Sequence, residues 1–496
     1  MAKEKQSRPK ARTVRGFRDR AAGELAAERQ MLDVIRRTYD SYGFDALETP
    51  FVEYTDALGK FLPDVDRPNA GVFSFRDEDE QWVSLRYDLT APLARYVAEN
   101  FQDLAKPFRR YQIGTVFRND KPGPGRFREF IQCDADTVGT NSPAADAEMV
   151  MMFADTLEAL GLSRGDYAIK LNSRKLLDGV LEAAGLPLQG SPEILERRAS
   201  VLRSLDKLDR VGIEGVRALL GKGRKDESGD FTKGSELSDD QISRILMFVS
   251  EAPSDTSGDA LFKWWNRIAP EQGVGNTGVE AIKSLEPILA LVNDAKYADR
   301  VQLDTSIIRG LEYYTSTVFE AQLTFPVQNE KGQEVVFGSV GGGGRYDDLV
   351  ARFTGQQVPA VGFSIGVSRL LTALQMRKAA VAQTEPLVVV TVFDKKDPAP
   401  SFALVRELRA AGIRAEAYVG TGKMGDQFKY ADKRGAAAAI VEGPDERAKG
   451  ELQIKDLVRG AELANTDEAL TASHADYVSE RKGQVTVQRS QMVDEV

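Results

Sequence analysis

The chain is nearly devoid of histidine and cysteine: His474 and Cys133 are the only examples in 496 residues. One cysteine excludes an intramolecular disulfide, and the two residues together cannot build a Cys/His zinc cluster. A single histidine leaves at most one imidazole for acid–base work. His474 lies in the polar, acidic stretch ELANTDEALTASHADYVSE, where a solvent-exposed residue without catalytic duty is expected. Cys133 has no histidine near it in sequence to activate it and reads as a small residue packed in a strand. Long apolar runs are also missing; none approaches the ~20 residues needed to span a bilayer. The N-terminal MAKEKQSRPKARTVRG has neither the hydrophobic stretch of a secretory signal nor the apolar face of a transit peptide. These absences predict a cytoplasmic protein with no membrane association. Its chemistry must run on carboxylates, arginines, metal held by oxygen, or the substrate itself.

What is present is ordinary in bulk and uneven in detail. Apolar residues make up 42% and charged residues 28%, as in a soluble globular protein. The length calls for two or three domains. A net charge of −9 argues against nonspecific whole-surface binding to nucleic acid. Locally the balance reverses: residues 106–128 carry seven Lys/Arg against Asp120 alone, and residues 1–20 carry eight against two. A basic tract in an acidic protein fits a polyanion held at one place, or a solvated charged face.

Along the chain, the spacing of Leu25, Leu32, Ile35 and Tyr39 predicts a helix from about Gly23 to Tyr42, with Gly43 as its C-cap. Residues 109–138 alternate as a hairpin around DKPGPG. A mostly helical stretch follows at 175–297, interrupted by the charged GKGRKDESGDFTKGSE, which reads as a disordered loop. Strand patterning returns at VQLDTSIIRGLEYYTSTVFEAQLTF and before VGGGGRYD, and the helix-like SIGVSRLLTALQM closes this part. From 386 to about 475 strands and helices alternate in a smaller α/β domain, and 476–496 is left as a tail.

Four constellations could carry chemistry. In the outgoing arm of the hairpin, Arg126, Arg128, Phe130, Gln132, Asp134 and Asp136 share one strand face, with Arg118 ending the incoming arm. Such groups are costly to bury without partners, so the face lines a wet site or lies exposed. Guanidinium forks suit phosphate, and Gln132 with Asp136 suits a ligand bearing N–H donors. IIRGLEYY supplies Arg309 with Tyr313 and Tyr314, GSVGGGGRYDDL a run of glycines, and VGFSIGVSRL a glycine-bearing helix start with Arg369 one turn in. GTGKMG at 420–425 matches the dinucleotide-binding fingerprint, with Glu442 at the end of the next strand. The α/β unit around it is too short and has no second half, so NAD is not expected there.

Taken in order, these pieces resemble the class II aminoacyl-tRNA synthetases, and within them the histidyl-tRNA synthetase family. YGFDALETPFVE is similar to motif 1, with Pro50 at its proline; FRNDKPGPGRFREFIQCDADTVG to motif 2; GFSIGVSRL to motif 3. LRYDLTAPLAR resembles the amino-acid-binding stretch, and RGLEYY and GGGGRYD the two histidine-specific motifs. The resemblance implies an α/β (α+β catalytic) fold. It consists of an antiparallel sheet flanked by helices (1–174 and 298–378), a helical insertion (175–297) and a C-terminal α/β anticodon-binding domain (386–475). The implied reaction is ATP-dependent formation of histidyl-adenylate, then transfer of histidine to the 3′ end of tRNA, by a homodimer built on motif 1.

The resemblance also implies roles. Arg118 and Arg369 hold the ATP phosphates, with Arg126 near them. Asp88, Thr90 and Gln132, with Leu89 in the same stretch, take up histidine by its α-ammonium. Asp136 with Tyr313 or Tyr314 reads the imidazole, and Arg309 contacts the carboxylate and the α-phosphate. Mg2+ would arrive bound through phosphates and a few carboxylates. This sequence departs from the family in having Asp at 88 and 136 where Glu is frequent, and Glu312 where Asp is frequent. Its Gly123-Pro124 loop lacks the usual glutamine and basic residue, so recognition of an extra 5′ guanosine on the tRNA does not follow. One rival is a non-catalytic relative that regulates ATP phosphoribosyltransferase in histidine biosynthesis; another is a nucleotide-binding protein built around GTGKMG.

Overall fold

Alternation of apolar and polar residues is carried across a whole sheet. In the computed structural model, residues 10–58, 71–121, 127–225, 231–251, 258–268, 277–307, 314–328, 334–377, 386–458 and 484–496 are described. They fall into two compact units, 1–382 and 383–496.

The strands of the first unit, in chain order, are β1 (Asp45–Ala46), β2 (Val52–Tyr54), β3 (Ser74–Arg76), β4 (Trp82–Leu85), β5 (Phe108–Phe117), β6 (Glu129–Val138) and β7 (Tyr167–Ser173). They continue as β8 (Gly223–Lys225), β9 (Phe231–Lys233), β10 (Val301–Leu303), β11 (Thr317–Gln328), β12 (Glu334–Arg345) and β13 (Ala360–Gly366). Eight form one sheet in the order β1-β5-β6-β13-β12-β11-β7-β10, antiparallel except at the two edge pairs. β2, β4 and β3 make a small separate sheet.

Register decides which side chains meet. One rung runs Tyr111, Ala135, Phe363, Gly343, Phe319, Leu171 across six strands. The next runs Arg110, Asp136, Gly362, Gly344, Val318, Asn172, and the one after Tyr111's on the other side runs Gln112, Asp134, Ser364, Gly342, Glu320, Lys170. Because side chains alternate, the first rung faces one way and the other two face the opposite way. The apolar face is sealed by helices Ala22–Ser41, Pro143–Ala159 and Val367–Met376. Phe363 is the hub: it stacks on Phe153 with 4.6 Å between ring centroids and meets Tyr39 edge-on at 5.7 Å. The predicted first helix is found at Ala22–Ser41, and the hairpin arms at β5 and β6.

The helices of the middle stretch, among them Arg174–Ala183, Asp239–Ser250 and Thr277–Asp294, have no separate core; their buried Leu, Ile and Trp residues join the cluster under the sheet. Within the charged segment expected to be a disordered loop, β8 and β9 pair as a short hairpin, and only its tip lies outside the described residues.

The second unit has β14 (Val388–Val390), β15 (Ala415–Ala417), β16 (Ala438–Val441), β17 (Glu451–Asp456) and β18 (Gln484–Gln488), ordered β15-β14-β16-β17-β18. β18 comes from the segment the sequence reading leaves as a tail. It pairs antiparallel with β17, and Val487 and Met492 enter that unit's core.

The rung geometry makes a prediction. A Cβ at Gly343 would overlap the Gly362 carbonyl and crowd Phe363 Cβ at 2.6 Å, whereas one at Gly366 would meet nothing closer than the Val340 carbonyl at 3.6 Å. Gly343→Ala is expected to cost about 1–3 kcal/mol by overpacking and Gly366→Ala little. Thermal unfolding of the two variants checks this; equal melting temperatures would contradict it.

Candidate active site

The polar rungs put ionisable groups where a sheet usually has none. Asp136 is 2% exposed and Arg110 0%, and Arg110 Nη2 lies 2.9 Å from Asp136 Oδ2. The same Nη2 donates to the Leu89 carbonyl at 3.0 Å, so the guanidinium is shared and Oδ2 is compensated by charge rather than by an aligned hydrogen bond. Tyr346, from the GGGGRYD stretch, donates its hydroxyl to Asp136 Oδ1. Burial pushes the Asp136 carboxyl up, while Arg110 and the Tyr346 hydroxyl draw it back down. A Cβ at Gly362 would overlap Asp136 Oδ1, so glycine there makes room for the carboxylate.

One step along β6, Gln132 Nε2 donates to Ser364 Oγ at 2.8 Å, and Ser364 in turn bonds the carboxyl of Asp134. Gln132 Oε1 and Asp134 Oδ1 are buried with no partner. Asp88 lies at the entry to helix Thr90–Glu99, where its Oδ1 accepts from Ala91 N at 2.9 Å. Burial raises the Asp88 carboxyl; the Ala91 and Thr90 backbone N–H groups, Arg118 and Arg110 oppose the rise. The Arg118 guanidinium carbon lies over Tyr87, 4.4 Å from the ring centroid, and 5.2 Å from that of Phe130.

Of the residues expected from sequence, Asp88, Arg118, Gln132 and Asp136 are brought to one electrostatic neighbourhood over the polar face. Leu89 contributes its carbonyl to Arg110 while its side chain is fully buried, and Thr90 is half-buried as the first residue of its helix. Arg369 stands exposed on the helix that continues directly from β13. Tyr314 packs against the cluster of Leu93, Val97 and Tyr346, with its ring 2.8 Å from where a Gly344 Cβ would sit. Arg126, the Gly123-Pro124 loop, Arg309, Glu312, Tyr313 and His474 lie outside the described residues.

The basic tract divides. Arg110 faces Asp136, but Arg109, its neighbour, points through the opposite face to Glu148 at 2.9 Å. The GTGKMG turn is satisfied internally: Gly422 N donates to the Tyr418 hydroxyl, and Lys423 N to Asp426. Glu442 is buried and paired with Arg447 and Arg489. Arg110, Tyr346 and Ser364, which sequence reasoning missed, are direct neighbours of the expected residues. Counting the two hairpin arms outward from their turn would have paired Arg110 with Asp136; the motifs GGGGRYD and GFSIGVSRL contain Tyr346 and Ser364 but single out neither.

The arrangement offers buried acceptors and carboxylates for N–H donors at one end and a stacked guanidinium for an anion nearby. The histidyl-tRNA synthetase family model matches residues 16–227 and 265–370, and an anticodon-binding-domain model matches 387–495. A Brucella abortus protein described as histidine–tRNA ligase is 55% identical over 99% of this chain and 96% of its own. One from Rhizobium meliloti with the same description is 56% identical over 98% and 95%. The crystal structure of histidyl-tRNA synthetase from a Nostoc species superposes with a TM-score of 0.69 at 29% identity, covering 98% of this chain and 99% of that one.

Asp134 gives a pH prediction. Burial and the Asp136 charge push its carboxyl up to about 7, against Arg110 and Ser364. A folded pKa above the unfolded one means the native protein keeps a proton that the unfolded chain releases. The stability this group lends is therefore full below the ordinary carboxylate range and lost as pH rises through about 7. Asp134→Asn should accordingly gain in melting temperature on the parent between pH 5 and pH 8; a gap that stays constant would mean an ordinary carboxylate.

Proposed function

Since the chain belongs to the histidyl-tRNA synthetase family, we propose that the polar face over β5, β6 and β13 is where histidine and ATP meet. The reaction is ATP-dependent: histidine is activated as histidyl-adenylate and then joined to the 3′ end of its tRNA. The reading of a regulatory relative is not favoured. Ligases match over nearly the whole length, and an anticodon-binding domain is matched at 387–495.

The observation that carries the site assignment is the buried Asp136, held from two sides by Arg110 and Tyr346 on a glycine floor. A carboxylate so fixed can accept an imidazole N–H with little reorganisation. We assign Asp136 that role, with Tyr313 or Tyr314 beside the ring. Gln132, Asp88 and Thr90 take the α-ammonium, and Leu89 supports them by tying Arg110 in place. Arg118, oriented by Tyr87, and Arg369, with Arg126, take the ATP phosphates. Arg309 is assigned to the histidine carboxylate and the α-phosphate. There its charge counts most as the carboxylate oxygen attacks phosphorus and pyrophosphate leaves.

Mg2+ is proposed only as the ion that accompanies ATP. Among the described residues no group of three or more His, Cys, Asp or Glu makes a metal cage, so no residue is assigned to it and no step is routed through it. We assign residues 1–174 and 298–378 to catalysis, 175–297 to an insertion and 386–475 to tRNA anticodon binding, with β18 completing the last sheet. A homodimer is supported by exposed apolar side chains at and beside motif 1: Phe51, Val52 and Tyr54, with Phe75 and Trp82 on the same small sheet. We propose a cytoplasmic location as one where tRNA is charged; among the described residues no helix is long and apolar enough to cross a membrane.

Histidine-dependent ATP–pyrophosphate exchange tests the site. Arg309→Ala should lower its rate on the order of 10²–10³-fold while histidine binding stays measurable; unchanged turnover would refute that role. Removing residues 386–496, whose core is separate, should spare exchange and cripple tRNA charging. Full charging by the truncated chain would count against an anticodon-binding role for that unit.

A further inference from the structure

The assigned roles leave unused a buried carboxylate on β6 itself, between two residues that have roles. Asp134 is 2% exposed and projects from β6 between Gln132 and Asp136, on the same face as both. Its Oδ1 has no hydrogen-bond partner, and neither does Gln132 Oε1. The two residues are joined through Ser364, which accepts from Gln132 and bonds Asp134. Two orphan acceptors wired through one hydroxyl form a pair that fully buried structure seldom tolerates. The beneficiary must bring hydrogen-bond donors and no acceptor of its own to that spot.

We propose that Asp134 is a histidine-positioning residue: its free Oδ1 accepts an N–H of the bound amino acid, acting in concert with Gln132 through Ser364. The proposal rests on the assignment of this face to histidine. Asp134 faces Asp136 on its own strand, Arg110 on β5, Ser364 on β13 and Asp88 at the start of helix Thr90–Glu99; Cys133 and Tyr39 lie behind it on the apolar side. Only Arg110 among these is cationic, and its Nη2 is already committed to Asp136 and the Leu89 carbonyl. Asp134 and Asp136 thus share one guanidinium, which also acts on Asp88 beside Arg118, and an incoming ammonium or protonated ring supplies the missing positive charge. The carboxylate form of Asp134 accepts this N–H as a charge-assisted hydrogen bond, stronger than the one its protonated form can accept. With its carboxyl pushed up to about 7, the charged contact is present above that pH and is lost as pH falls below it.

The test is steady-state ATP–pyrophosphate exchange with Asp134→Asn, Ser364→Ala and Gln132→Ala beside the parent, at pH values from 6 to 8.5. Asp134→Asn should raise KM for histidine on the order of 10-fold or more at pH 8, the strength of a hydrogen bond to a charged group, while KM for ATP stays within about twofold. The ratio of variant to parent KM should shrink as pH falls to 6, because the parent then loses the negative charge that Asn also lacks; protonation of free histidine is common to both and cancels. Ser364→Ala should raise KM for histidine without touching KM for ATP, and it keeps the proposal testable if Asp134→Asn does not fold. An unchanged histidine KM in Asp134→Asn, a pH-independent ratio, or equal rises for histidine and ATP would each overturn it. Should Gln132→Ala weaken histidine while Asp134→Asn and Ser364→Ala do not, this inference alone falls; should none of the three do so, the assignment of the face falls with it.

Discussion

A guanidinium and a carboxylate with no access to bulk water, Arg110 and Asp136, set the terms for the first unit. Burying a single charge is prohibitive and burying two is tolerable only with close pairing and further hydrogen bonds. Hence the Leu89 carbonyl on one side, the Tyr346 hydroxyl on the other and a glycine at 362 beneath. Each comes from a different part of the chain: the stretch before helix Thr90–Glu99, the end of β12 and the middle of β13. Segments far apart in sequence are fixed in register by one ion pair. The wide sheet is a platform that lets distant residues be neighbours, and the aromatic packing around Phe363 on the reverse face holds it stiff.

Polarity is divided between the two faces by the pleat. One rung of apolar groups alternates with two of polar ones, so a slip of one residue in any strand would expose phenylalanine and bury aspartate. The glycine run at 341–344 serves both faces. Gly343 admits the Gly362 backbone on the apolar side, and Gly344 leaves room for the Tyr314 ring on the polar side. Neither the run's position nor its length is set by loop formation; all four residues lie inside β12.

Much of this was legible in the chain. Hairpin alternation around DKPGPG placed Gln132, Asp134 and Asp136 on one face because period two is a property of strands themselves. The helix at Ala22–Ser41 followed from its apolar spacing, and the scarcity of histidine and cysteine removed whole classes of chemistry. What stayed hidden depends on pairing between remote strands. Ser364 reads as an undistinguished residue in GFSIGVSRL until β13 is laid beside β6, and Tyr346 is one residue of a glycine-rich motif until its hydroxyl is seen to reach Asp136. Likewise β18 has too weak a pattern alone and gains its identity from β17. The fingerprint at 420–425, discounted because its α/β unit is short and has no second half, shows the opposite limit. Local matching cannot tell that Tyr418 and Asp426 already occupy the backbone groups a phosphate would need.

Cys133 sits on the apolar face directly behind Asp134, fully buried, its thiol pushed well above the usual range by burial and the neighbouring carboxylate. A thiol that is both inaccessible and protonated is a poor target for alkylating reagents and oxidants. The native chain therefore offers maleimide chemistry almost no background. A cysteine introduced on any outer surface becomes an addressable handle for a fluorophore or spin label, with no native sulfhydryl to remove first.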